Sequence, residues 1–296
     1  MFEVKPIAGA LGAEILGVDV RTLNQAEFAE LRRLWGEYLV LFLPGQSLTP
    51  EDHRRFADRF GEVDTEPFVY PFLTPTVEGH PEILKILKEG GDRSINFGGL
   101  WHADVTYRER PHMAGILYAI ETPQAGGDTM FANQYLAYET LSDGMKARLA
   151  GLRAVHSNLM PYGGGEARIG AVGRDHVPSE ADRLAENSPY GASKIETVIE
   201  NAHPVVRTHP ETGRKFLFVS RAFVDRFEGW TREESLPLLE FLWDHAARPE
   251  FTCRYRWSAG ALGIWDNRSA QHFALNDYYG ARRHMHRIAV HGERPA

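Results

Sequence analysis

A single cysteine, Cys253, stands among 296 residues, so no internal disulfide can brace the chain, which suits a reducing compartment. No apolar stretch approaches the length of a membrane span. Positive charge is nowhere concentrated: the formal net charge is −7, and no polybasic tract points to nucleic acid or an anionic membrane as a partner. The opening residues, Met1-Phe2-Glu3-Val4-Lys5-Pro6, lack the basic start and apolar run of a signal peptide, which predicts a cytoplasmic protein. Internal repeats and low-complexity tracts are missing too. What is present is ample for a core: 43% of residues are hydrophobic, in a length that one elaborated β domain over 1–296 can fill.

Helix starts are legible at three places. Asn24 is followed by Glu27 and then by Phe28, Leu31 and Leu34 at helical spacing. Thr49-Pro50-Glu51-Asp52 offers a capping hydroxyl, a proline suited to the first helical position and two acids for the first turn. Thr231 and Glu234 open a segment with Leu236, Leu239 and Leu242 on one side. Strand patterns dominate the rest: 38–43, 113–120, 128–132, 215–219, 251–257 and 261–265, with a hairpin turn over 208–213. Many short strands, few helices and no repeating βαβ unit predict a mainly β fold with flanking helices, a sandwich or jelly roll. The stretch 160–194 is rich in Gly, Ser, Pro and acids without apolar period, and is expected to be a lid.

Chemistry concentrates in two stretches far apart in the chain. Trp101-His102-Ala103-Asp104 sets an imidazole and a carboxylate two residues apart, on one face if the segment is an extended strand. A second histidine from a distant strand would complete a two-His, one-carboxylate facial triad, which holds non-haem Fe(II) and leaves three positions open. Ile264-Trp265-Asp266-Asn267-Arg268 through His272 supplies one. Taken alone, a His-x-Asp is also the ordinary pattern of a histidine bonded to a nearby acid at a turn.

With Val105-Thr106-Tyr107, Gly126-Gly127-Asp128-Thr129 and the run from Trp265 to Arg287, the chain resembles the taurine/2,4-dichlorophenoxyacetate dioxygenase family of Fe(II)- and 2-oxoglutarate-dependent oxygenases. The resemblance spans nearly the whole length and implies a double-stranded β-helix, a variety of jelly roll. It implies His102, Asp104 and His272 as iron ligands, and Thr129 and Arg283 as the grip on the distal carboxylate of 2-oxoglutarate. A guanidinium fork matches a carboxylate in two bonds at once. Arg287 falls where the family receives the anionic head of its substrate, with Tyr70 and Phe223 at matching aromatic positions. On a strand, Arg283, Met285 and Arg287 would share one inward face. Arg282 reads as a surface ion-pair partner, and Thr129 has an ordinary strand role as its alternative. Trp265 through Arg268 read as a buttress for the strand and hydrogen bonds behind the second histidine, with plain core as the alternative for Trp265.

Pro67 and Gly98 stand where taurine enzymes carry a histidine and an asparagine, which argues against taurine itself. Asn96 and Phe97 are candidate pocket residues or simple turn residues. The activity implied is hydroxylation of a C–H bond in a small organic anion (a sulfonate, sulfate ester or carboxylate), consuming O2 and 2-oxoglutarate and releasing succinate and CO2. The hydroxylated product would fragment where its carbon bears a leaving group. Asp104 disfavours halogenation, which needs that position open. A metal-binding jelly-roll module without turnover and a redox-neutral zinc hydrolase are the competing readings. Relatives imply a dimer or tetramer.

Overall fold

Alternation along each strand assigns its two faces to two different layers. The computed structural model describes residues 2–65, 76–92, 98–159, 198–278 and 280–295. The main sheet runs β1 (Glu3–Pro6), β2 (Ala13–Leu16), β3 (Val40–Leu43), β14 (Leu262–Asp266), β6 (His112–Glu121), β16 (Arg283–His291), β5 (His80–Lys88) and β4 (Thr76–Val77). A smaller sheet orders β13 (Thr252–Tyr255), β7 (Thr129–Asn133) and β15 (Ala270–Ala274). A third joins β12 (Val224–Phe227), β8 (Arg153–Ser157) and β9 (Glu200–Pro204), and β10 (Val206–Thr208) pairs with β11 (Lys215–Leu217). The helices among the described residues are α1 (Gln25–Tyr38), α2 (Pro50–Asp58), α3 (Gln134–Glu139), α4 (Asp143–Leu149) and α5 (Arg232–Ala246). The protein is mainly β, with the jelly-roll architecture expected.

Leu41, Leu43, Ile264, Ile288 and Val290 pack with Phe28, Leu31, Trp35 and Phe56 of α1 and α2. Their neighbours Val40, Phe42, Trp265 and Met285 turn the other way and pack with Phe131, Tyr255 and Ala270 of the smaller sheet. A one-residue slip in β3, β14 or β16 would exchange these sets, so both layers fix the register. That register points Arg283, Met285 and Arg287 inward together: all three are buried while His284 and His286 are only partly so. The shared inward face expected of β16 is present.

All three helix starts carry full capping boxes, at Asn24, Thr49 and Thr231. Local chemistry fails where the chain needs an unusual turn. The apolar run 38–43 is not one strand: Tyr38 ends α1, Leu39 caps it with φ 63, and β3 begins at Val40. Leu39 N donates to Trp35 O at 2.8 Å, so the backbone closes the helix where its apolar side chain suggested a strand. Residues 251–257 likewise divide: a 3-10 turn over Pro249–Phe251 precedes β13. β2 and β3 are parallel and adjacent, joined through α1, the one parallel pair among the described strands. The hairpin over 208–213 closes as expected, with His209 N donating to Arg214 O at 2.8 Å. No described helix is long and apolar enough to cross a membrane. The expected lid at 160–194 lies outside the described residues.

Candidate metal centre and co-substrate pocket

His102 and His272, 170 positions apart, are paired through their backbones. His102 N donates to His272 O at 3.1 Å, and His272 N to His102 O at 2.8 Å. This isolated antiparallel bridge sets the two rings 4.0 Å apart. The chain then leaves the extended conformation: Asp104 enters a turn and Val105 adopts φ 47. The expectation of one continuous strand over 102–104 is corrected here. Asp104 N meets the side chain of Asn267 at 2.7 Å rather than a neighbouring strand, so the backbone is free to bend.

The bend brings the three donors together. Asp104 Oδ1 lies 3.6 Å from His102 Nε2 and 3.6 Å from His272 Nε2, too far for a hydrogen bond to either. Donors bound about 2.1 Å from one ion stand roughly 3–3.5 Å apart, so the spacing is close to what a shared metal ion would require. His102 Nδ1 contacts Leu100 O at 2.7 Å, which fixes it as the protonated nitrogen and leaves Nε2 as the donor. Burial pushes the pKa of His102 down and that of His272 far down, so both are neutral and able to ligate. Burial alone would raise Asp104, but the Arg287 guanidinium holds its carboxyl well below the usual range. Two neutral nitrogens and one anionic oxygen fit Fe(II).

Arg287 Nη2 lies 2.6 Å from Asp104 Oδ2, so the two carboxylate oxygens face different partners. Burial of Arg287 therefore does not by itself call for a visiting anion, because Asp104 already supplies one. Trp265 serves both alternatives left open for it: it joins the core, and its ring packs 4.8 Å from that of His272. Gly115 makes room for it, since a Cβ there would fall 2.1 Å from Trp265 Cζ2. Asp266 is locked by Arg268 at 2.6 Å and by His209 at 3.0 Å, fixing the loop between β14 and β15.

At the other end of β16, buried Arg283 donates Nε to Gly127 O at 3.2 Å and has no carboxylate within ion-pair distance among the described residues. Gly126 has φ 80, and a Cβ there would stand 2.5 Å from Asp277 O; this tight passage leads to Thr129. Thr129 Oγ1 accepts from Trp257 Nε1 at 2.9 Å, leaving its proton for another acceptor. The sequence reading missed Lys88, the buried cross-strand partner of Arg283, whose Nζ donates to Asn276 Oδ1 at 2.7 Å. Its place at the end of β5 was the available signal. Phe223 is buried with its ring edge-on to His102 at 6.2 Å. Arg282 pairs with Glu89 at 2.9 Å and with Glu121, as a surface residue does. Tyr70, Pro67, Asn96 and Phe97 lie outside the described residues.

A family model described as taurine catabolism dioxygenase TauD, TfdA family matches residues 3–289. The chain is 35% identical over 295 residues to an alpha-ketoglutarate-dependent sulfate ester dioxygenase of Pseudomonas putida, covering 99% of this chain and 90% of that one. It is 34% identical over 293 residues to an alkylsulfatase of Acinetobacter baylyi, covering 98% and 85%. A crystal structure of a putative alpha-ketoglutarate-dependent taurine dioxygenase from Burkholderia xenovorans superposes with a TM-score of 0.79 at 33% identity, covering 100% of this chain and 91% of that one. The chain therefore belongs to the TauD, TfdA family of dioxygenases, whose members use Fe(II), 2-oxoglutarate (alpha-ketoglutarate) and O2.

Proposed function

We propose that this dioxygenase hydroxylates a C–H bond of a small organic anion, with sulfate esters the class to test first. The observation that carries the reading is the convergence of His102, Asp104 and His272 on one point, with two buried arginines of a single strand reaching the same interior. When bound, Fe(II) with 2-oxoglutarate and O2 supplies the oxidising power, one oxygen atom entering the substrate and the other appearing in succinate beside CO2.

The chain's own residues position and insulate. His102, Asp104 and His272 would hold the metal. Arg283 and Thr129 would take the distal carboxylate of 2-oxoglutarate; a buried guanidinium lacking a carboxylate among the described residues favours an anion there. Arg287 would receive the substrate's anionic head while keeping Asp104 ionised, and Phe223 would wall the pocket beside His102. Tyr70 is proposed for the same pocket on the family match alone.

Gly98 supports the departure from taurine. It has φ 83, and a Cβ there would approach His102 Cε1 to 3.2 Å, so an asparagine would be strained. Without that polar partner the pocket suits an anion with an apolar tail. Hydroxylation of the carbon bearing a sulfate ester would release an aldehyde and sulfate. The test is succinate release with Fe(II) and ascorbate across alkyl sulfates, sulfonates and aryloxyalkanoates. Turnover on an alkyl sulfate is the expected result. Uncoupled succinate release that no anion stimulates would sink the substrate class.

A further inference from the structure

We infer that Asn267 is the positioning residue that aims Asp104 at the metal, by clamping the Asp104 backbone against the turn at Val105. The inference rests on the proposed assignment of His102, Asp104 and His272 as ligands. Asn267 is fully buried. Its Oδ1 accepts from Asp104 N at 2.7 Å, and its Nδ2 donates to Asp104 O at 3.1 Å and to His112 O at 2.9 Å. Both amide protons are thereby used, and one side chain grips both polar backbone groups of a single ligand residue.

The grip falls where the sheet gives no support. His102 and His272 hold each other through their backbone bridge, whereas Asp104 lies beyond it, in a turn. The next residue, Val105, is fully buried with φ 47, a left-handed conformation that is an outlier for a β-branched side chain. Strain of that kind persists only where the surroundings over-determine it. Without the clamp the Asp104–Val105 unit would relax toward ordinary backbone, and Oδ1 would move from its place 3.6 Å from both imidazoles.

The clamp itself stands on a fixed frame. Asn267 N donates to Met113 O of β6 at 2.8 Å. On either side, the buried Asp266–Arg268 pair closes the loop, with Arg268 N also donating to Asp266 Oδ1 at 2.9 Å. Arg287 approaches only the carboxylate tip of Asp104, so it neutralises the charge without setting the direction of the backbone. An aspartate at 267 would keep the shape and the acceptor for Asp104 N, but would turn an oxygen toward two carbonyl oxygens.

The experiment measures Mn(II) affinity of the metal-free full chain by calorimetry, beside its thermal melting. Asn267→Ala and Asn267→Asp are each expected to bind Mn(II) roughly 10- to 100-fold more weakly at temperatures where melting shows them folded. Asn267→Asp removes the amide donors without leaving a cavity, so agreement between the two variants separates aim from packing. Asn133→Ala is the matched control. Asn133 is also a buried asparagine with three hydrogen bonds, to Ala10 O, Tyr135 N and Leu136 N, and its loss should lower the melting temperature and leave Mn(II) affinity alone. Asp104→Asn tests the underlying reading. If it keeps full Mn(II) affinity, the ligand assignment fails. If it loses affinity while both Asn267 variants stay within about threefold of the parent chain, the positioning role fails. Failure of both Asn267 variants to melt cooperatively would make Asn267 a folding determinant and overturn the inference.

Discussion

Among the described residues lie two clusters of one aspartate and two histidines, and only in one do both histidines stand beyond hydrogen-bond distance of the carboxylate. In the first, His102, Asp104 and His272, both imidazoles stand 3.6 Å from the same carboxylate oxygen and the arginine takes the other. In the second, Asp64, His112 and His291, the arginine and a histidine converge on one oxygen: Arg108 and His112 both lie 2.8 Å from Asp64 Oδ2. Its remaining histidine, His291, is 3.6 Å from Oδ1 and a quarter exposed. The residue types are alike, an arginine included. What separates them is whether the donors are held apart by backbone or have closed on one another in hydrogen bonds. The difference teaches that composition alone does not make a ligand set; donor spacing does.

Mutations should split the clusters cleanly. The largest effect is expected from His272→Ala, which should abolish Mn(II) binding and turnover together; calorimetry and succinate release check it, and retained activity would refute the triad. Asp64→Ala should instead leave the partly buried Arg108 without its anion and the buried His112 without its acceptor, a loss of about 3 kcal/mol that lowers Tm by roughly 5–10 °C, with metal affinity within a few-fold of the parent. A large loss of Mn(II) affinity in that variant would erase the distinction drawn above. Next, Arg283→Met should raise the KM for 2-oxoglutarate roughly 10- to 100-fold, the value of a charge-assisted bond, with less change in the KM for the anionic substrate. Arg287→Met should do the reverse. Equal effects on both constants would merge the two pockets.

The smallest effect concerns pH. Burial holds His53 down to about 3 and His203 down to about 4, against an ordinary value of 6.5. The unfolded chain therefore binds more protons than the folded one below about pH 6.5, so stability is full above that value and falls as the pH drops toward 4. Burial would raise Asp64, but His112 and Arg108 keep it at about 2, so its contribution survives until the pH passes below its unfolded value of 3.8. The metal-free chain should thus lose melting temperature gradually between pH 6.5 and 4, and His53→Leu should flatten part of that slope. A flat profile in the parent chain would contradict it.

Much of this was legible because the signals were local or periodic. The caps at Asn24, Thr49 and Thr231 are chemistry of four residues each, and the alternation of Arg283, Met285 and Arg287 needs only a strand. The candidate ligands were readable from family motifs, though their arrangement was not. The His102–His272 bridge, the bend at Val105 and the Asn267 clamp join residues about 160 to 170 positions apart, which no local pattern encodes. Leu39 failed for a similar reason: its apolar run reads as strand, yet the helix before it closes in the left-handed conformation. Lys88 went unnoticed because its partner Arg283 lies across a sheet, with nearly two hundred residues between them.

The backbone bridge between His102 and His272 also has a thermodynamic consequence. An extended, denatured chain carries these two imidazoles on distant segments and cannot present them to one cation, so an ion discriminates strongly between native and unfolded populations. Divalent metal in solution should therefore act as a folding ligand, shifting the melting curve upward by mass action as its concentration climbs past the dissociation constant.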